Sequence, residues 1–340
     1  MLSRLRVLLS IFLIVSCSSV RKTTIIDIPY GMERFLIITA DDFGASKNIN
    51  EGIEIAADQN VITAISVLSN FRESLPELKQ LSENHPNIGI GVHLNIITGK
   101  PILGAEQVPS LVSSTGSFYT IDELLPNIKS ISLDDLKREL RAQILALTTN
   151  NIKLDHLSDQ NGILSLYSPF FDIIIELAKE YNLPVRTPFI ASKKYPDLFS
   201  NSHLKKRGKQ IALRFAFNNP FKAIRFLKYS QVTEMEKKVQ KMDDLGIFHP
   251  DLLIEYFWGD PSLTNYLYII EHLPNGISEL ILHVGTSSRQ ENYPSGLDLD
   301  YFINREKELI SVTDKHLKEY YNYLNIKTIG YSEILNYKNK

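Results

Sequence analysis

The chain has 340 residues, of which 44% are hydrophobic and 22% charged, and its formal net charge is -2. This is the composition of a folded globular protein with ample material for one large core, and it excludes an intrinsically disordered chain. The near-neutral balance gives the whole molecule no bulk attraction to nucleic acid, and the single cysteine excludes both an internal disulfide framework and a cysteine-rich zinc site.

The chain starts MLSRLRVLLSIFLIVSCSS, with Arg4 and Arg6 ahead of an apolar run from Val7 to Val15. The run is short for a bilayer span and fits the apolar region of an export signal. Ser16 directly before Cys17 resembles the lipobox of bacterial lipoproteins. The expectation is a signal peptide over residues 1–16, a lipidated mature N-terminus at Cys17, a tether over 17–32 and one domain over 33–340. Such a protein is exported and anchored to the membrane of the bacterial cell envelope. An ordinary signal peptide or an uncleaved anchor are the other readings of the same segment.

The run Phe35–Ala40 is continuously apolar, as expected for a parallel strand covered on both faces, and it leads into Asp41-Asp42-Phe43-Gly44. Ile49, Ile53, Ala56 and Ala57 have helical spacing, with Asn48 as the expected N-cap. Val61–Leu68 reads as a strand, Pro76–Leu81 as a helix, and Ile88–Leu94, with Gly89 and Gly91, as a third strand leading to His93. Leu136, Leu140, Ile144 and Leu147 predict a helix over Leu133–Leu147, and Ile152–Leu157 a short strand that carries His156. Phe170–Tyr181 predicts an amphipathic helix closed by Asn182, followed by the strand-like Leu183–Arg186. Glu279–His283 reads as another strand, and Tyr301–Leu324 as largely helical. Strands alternating with helices predict an α/β fold with a parallel sheet, whose chemistry gathers at the carboxyl ends of the strands.

A basic, aromatic segment over Asn201–Lys228 interrupts this pattern; it carries eight Lys or Arg residues and no Asp or Glu. It reads as an insertion with a solvated basic face, or as a surface for nucleic acid, an anionic glycan or lipid headgroups.

Asp41, Asp42, His93, His156 and His283 all fall at predicted strand ends. Adjacent Asp41 and Asp42 point in opposite directions in an extended chain, so the Phe43-Gly44 turn has to bring both to one cavity. There, one carboxylate can ligate a metal while the other takes a proton from water. Aspartate and histidine together suit a divalent ion such as Mg, Mn or Zn.

These segments resemble the YdjC-like carbohydrate (chitooligosaccharide) deacetylase family. The matching stretches are Ile38–Gly44 with Asn50–Ile53, Gly89–Asn95 with Thr98–Pro101, Leu183–Arg186, and Leu273–Leu280 through His283. The resemblance implies a single-domain, distorted (β/α) barrel of the polysaccharide-deacetylase type. It also implies metal-dependent removal of acetyl groups from an N-acetylated carbohydrate. Asp41 is then the general base, Asp42 and His93 are metal ligands, His283 is the acid, and Arg186 meets substrate. The family pattern Thr-His-x-Asp-Ser-His departs here: Ser158 replaces Asp, Asp159 replaces Ser, and Gln160 takes the place of the last ligand histidine. Either Asp159 or His156 completes an altered site, or Gln160 leaves a weak one. The alternatives are a weak or inactive glycan-binding relative, a glycosidase using two carboxylates, and a membrane-tethered interaction protein.

Overall fold

In the computed structural model, which describes residues 34–188, 232–255, 261–287 and 299–333, the sheet is organised around β1 (Arg34–Phe43). Residues 1–33, including Cys17, and the basic segment Asn201–Lys228 lie outside the described residues. The other strands are β2 (Ala64–Val67), β3 (Gly89–Leu94), β4 (His156–Asp159), β5 (Leu252–Ile254), β6 (Gly276–Leu282) and β7 (Ile326–Thr328). They run in the order β4-β3-β2-β1-β6-β5, and β7 also pairs with β1. All pairings are parallel. β7 pairs only with Arg34–Leu36, so the carboxyl half of β1 is left to β2, where Thr39 faces Ala64. The result is a half-barrel of parallel strands with helices around it.

Side chains alternate across each strand, and the two faces of this sheet have different chemistry. Leu36, Ile38 and Ala40 of β1, Ile65 and Val67 of β2, Ile90, Val92 and Leu94 of β3, and Leu280 and Leu282 of β6 belong to the main apolar core. Each buried aliphatic side chain of this kind contributes about 1.5–3 kcal/mol. The opposite face carries Ile37, Ala64, Ile277 and Tyr331 in a small second cluster. Beyond that cluster, the same alternation places Thr39, Asp41, Ser66, His93, His156, Ser158 and Glu279 on that face, all buried. The interior of the half-barrel is therefore polar toward the carboxyl ends of its strands.

The helices are α1 (Lys47–Asp58), α2 (Leu75–Asn84), α3 (Ile121–Asn127), α4 (Leu133–Thr148), α5 (Ile163–Leu166), α6 (Ser168–Tyr181), α7 (Val232–Asp244), α8 (Leu263–Glu271), α9 (Leu299–Val312) and α10 (Leu317–Tyr323). Ser46, not Asn48, caps α1, its hydroxyl accepting the Ile49 N–H; Asn48 is already helical and buried. Asn182 ends α6 at φ 50°, as its left-handed tolerance allows. Leu183–Arg186 makes a single bridge, between Val185 and Leu157, not a strand of its own. Tyr301–Leu324 is largely helical as expected, in the two helices α9 and α10. No helix of the described residues is long and apolar enough to cross a membrane.

Candidate active site

Strand alternation would send Asp42 to the helix-facing side, away from Asp41. Two local features re-aim it. The β1–β2 register shifts between Ala40 and Phe43, and Asp42 takes φ 75°, a left-handed conformation uncommon outside glycine. Gly44, at φ 104°, lets the chain turn away at once; a Cβ there would come within 2.9 Å of the Ser74 hydroxyl. Both carboxylates then face the ring of His93, whose Nε2 lies 3.8 Å from Asp41 Oδ2 and 3.8 Å from Asp42 Oδ1.

A separate arginine distinguishes the two aspartates. Arg186 holds Asp41 through two parallel bonds, Nη1 to Oδ2 at 2.7 Å and Nη2 to Oδ1 at 2.8 Å. The same guanidinium donates to Glu279 Oε1 from Nε and Nη2, and Glu279 also accepts from the hydroxyls of Thr39 and Tyr331. Burial alone would raise the Asp41 carboxyl, but Arg186 and then His93 outweigh it and hold the group well below the usual carboxylate range. Asp42 pairs through Oδ2 with Arg305, which reaches in from α9 and also bonds the Tyr301 hydroxyl. Burial raises Asp42 as well, and Arg305, His283 and His93 more than compensate. Both aspartates are ionised at neutral pH.

His93 Nδ1 meets the Ser158 hydroxyl at 2.8 Å, and Ser158 donates to Ser66 at 2.9 Å. His156 does not join the His93 cluster. Its ring is fully buried, with Nε2 3.3 Å from Ser66 Oγ and Nδ1 2.6 Å from Asp155. Asp159 also turns elsewhere, accepting from the N–H groups of Leu164 and Ser165 and from the Ser165 hydroxyl at the start of α5. Gln160 sits half-buried in the turn after β4. Arg186, expected to meet substrate, is itself buried and spent on Asp41 and Glu279. Among the described residues no group of three or more His, Cys, Asp or Glu side chains forms a metal-ligand set.

His283 stands at the end of β6, and its backbone N–H donates to Glu308 Oε1 at 2.7 Å. Burial, then the positive charge of Arg305, pushes the His283 imidazole down to about 4, against the pull of Asp42 and Asp41. Burial pushes the Glu308 carboxyl up to about 8. Glu255, just after β5, has an exposed side chain, yet its neighbours crowd it. That crowding removes solvent from its carboxyl and raises it, opposed by Arg186 and assisted by Asp41, Asp159 and Glu279.

Sequence reasoning missed Arg305, Glu308, Glu279 and Glu255. Phe302, Arg305, Leu309 and Val312 are all buried at helical spacing, so the available signal was a charge inside an apolar stripe. Glu279 offered a similar one, a carboxylate inside a buried strand. A cavity of about 180 Å³ lined by Phe71, Leu75, Leu78 and Leu147 contains none of these site residues.

The family model described as YdjC-like protein matches residues 35–323. A carbohydrate deacetylase of Clostridium beijerinckii is 26% identical over 299 residues, covering 88% of this chain and 99% of its own. A chitooligosaccharide deacetylase of Proteus mirabilis is 27% identical over 164 residues, covering 48% of this chain and 62% of its own. The solved structure of an Enterococcus faecalis V583 protein named for cellobiose-phosphate cleavage superposes with a TM-score of 0.69 at 22% identity, over 89% of this chain and 99% of that one.

Proposed function

Because the chain belongs to the YdjC-like family, we propose that it removes acetyl groups from an N-acetylated carbohydrate, using Asp41 as proton acceptor and a divalent metal seated on Asp42 and His93. One observation carries this reading: the convergence of His93 Nε2 on a carboxylate oxygen of each aspartate at 3.8 Å. With Nδ1 turned to Ser158, that Nε2 faces two ionised carboxylates that have no proton to share. A cation completes such an arrangement, so the residues present fit a metal.

Asp42 Oδ1 and His93 Nε2 are the two donors that would hold the ion, because Arg305 already takes Asp42 Oδ2. A seat with so few protein donors suits a hard ion that keeps several waters, such as Mg. When bound, the ion supplies Lewis acidity toward the amide carbonyl and toward water. The chain's own groups do the rest. Arg186 fixes the plane of the Asp41 carboxylate with two bonds and keeps it ionised, ready to take a proton over the whole physiological range. His283 is neutral at pH 7, so to protonate the departing amine it must first gain a proton, which the negative charge of Asp42 and Asp41 favours.

The test is acetate release from N-acetylated chitooligosaccharides with Mg, Mn or Zn supplied. Asp41→Asn should lower it by about 10²-fold or more while the protein stays folded. Release of new reducing ends without acetate would mark a glycosidase instead, and equal acetate release by wild type and variant would remove Asp41 from its role.

A further inference from the structure

The geometry points to Asp155 as a positioning residue that fixes, through a buried relay of three side chains, which nitrogen of His93 carries its proton. The inference rests on the reading of His93 as a site ligand. It concerns residues to which that reading gives no role.

The relay follows from counting hydrogens. Ser158 donates its only hydroxyl hydrogen to Ser66 at 2.9 Å, in preference to the Val92 carbonyl at 3.5 Å. Its oxygen can then only accept from His93 Nδ1, 2.8 Å away, so that nitrogen carries the hydrogen. Ser66 accepts from Ser158, and Arg186 Nη2, 3.3 Å away, can only donate, which leaves the Ser66 hydrogen for His156 Nε2 at 3.3 Å. His156 Nε2 is therefore an acceptor, and the ring's hydrogen sits on Nδ1, donated to Asp155 Oδ1 at 2.6 Å. Every link points the same way, from His93 through Ser158, Ser66 and His156 to one carboxylate. At the far end His93 Nε2 is left bare, facing Asp41 and Asp42 as a ligand nitrogen must.

The fold makes room for this dyad specifically. A Cβ on Gly91 would meet the His156 ring at 2.2 Å, and one on Gly89 would meet the Asp155 carboxylate at 1.9 Å. Tyr331 stacks on His156 at 4.2 Å between ring centres, closing the other side. The two strand glycines are thus explained by the relay they accommodate.

The test is nitrogen NMR of the metal-free full chain labelled with [15N]histidine, in which protonated and bare ring nitrogens resonate far apart. At a pH high enough that both rings are neutral, wild-type His93 and His156 should each carry the hydrogen on Nδ1; the Nε2 tautomer at either ring overturns the relay, and this measurement needs no variant to fold. Ser66→Ala frees the Ser158 hydroxyl to donate to His93 Nδ1, and Asp155→Asn lets an amide N–H donate to His156 Nδ1 and reverse the chain. Each should move the His93 hydrogen to Nε2 and weaken zinc binding, read by calorimetry, by about 10- to 100-fold. Folded variants that keep His93 protonated at Nδ1, or that bind zinc as wild type does, overturn it. The spectrum involves no substrate, so absent acetate release beside the expected tautomers would count against deacetylation and leave the relay standing.

Discussion

Identical side chains take different roles here because each has a different neighbour. Asp41 and Asp42 are adjacent and chemically the same, yet Arg186 clamps both oxygens of one while Arg305 takes a single oxygen of the other. Behind them, His283 and Glu308 are shifted in opposite senses, and the stability of the protein should record it. A group that binds its proton more tightly when folded loses stability as pH rises from its unfolded to its folded value. Glu308, moved from 4.5 to about 8, does this between those limits. His283, moved from 6.5 down to about 4, does the reverse, so stability rises across that interval. The two oppose each other up to pH 6.5, and above it Glu308 is the member of this pair that still titrates. Stability should therefore fall by about 2 kcal/mol between pH 6.5 and 8. Glu308→Gln should abolish that fall, as measured by denaturant unfolding at pH 6, 7, 8 and 9. Parallel pH curves for wild type and variant would show that Glu308 is not the titrating group.

At the scale of elements, legibility in the sequence followed burial on both faces. β1, β3 and β6 were readable because their helix-facing residues are uniformly apolar, and α4 and α6 because their stripes are regular. β5 has only Leu252–Ile254, and in β7 Ile326 alone is buried, so neither short segment carries a period long enough to register. β4 lies later than expected, at His156–Asp159, because its partner-facing residues are polar and its edge is set by pairing with β3. The aspartate pair and His93 were legible as strand-end residues. Arg186 was legible as a site residue but was assigned to substrate, whereas Arg305, which holds Asp42, was not legible, because an Arg on an amphipathic helix ordinarily reads as solvated. Gly91 was legible only as a glycine, whereas its cause is the ring of His156 across the β3–β4 register. Gly91→Ala should force that ring out of place and cost about 1–3 kcal/mol, the usual penalty of overpacking. Thermal denaturation reads this directly, and an unchanged melting temperature would mean that the ring moves aside freely.

Across the whole molecule, the half-barrel has an apolar outer layer and a charged interior, and Arg186 is where the interior is joined. It comes from the segment after α6, bonds Asp41 of β1 and Glu279 of β6, and donates to Ser66 of β2; Glu279 in turn accepts from Tyr331 beyond β7. Two buried carboxylates share this one cation, so its removal would leave both uncompensated. Arg186→Met keeps most of the volume and should cost about 3–5 kcal/mol, because breaking a buried ion pair exposes the desolvation cost of the remaining charge. If that penalty comes from the stranded carboxylates, neutralising one should relieve it. Glu279→Gln retains an acceptor for Thr39 and for the guanidinium but gives up the bond from Tyr331, so alone it is also expected to destabilise. The double variant Arg186→Met with Glu279→Gln should then be less destabilised than the two single changes added, by about 0.5–3 kcal/mol of coupling. Chemical denaturation of the four proteins closes the cycle. Strict additivity would mean that Arg186 and Glu279 act independently, and that the interior network is a set of separate contacts.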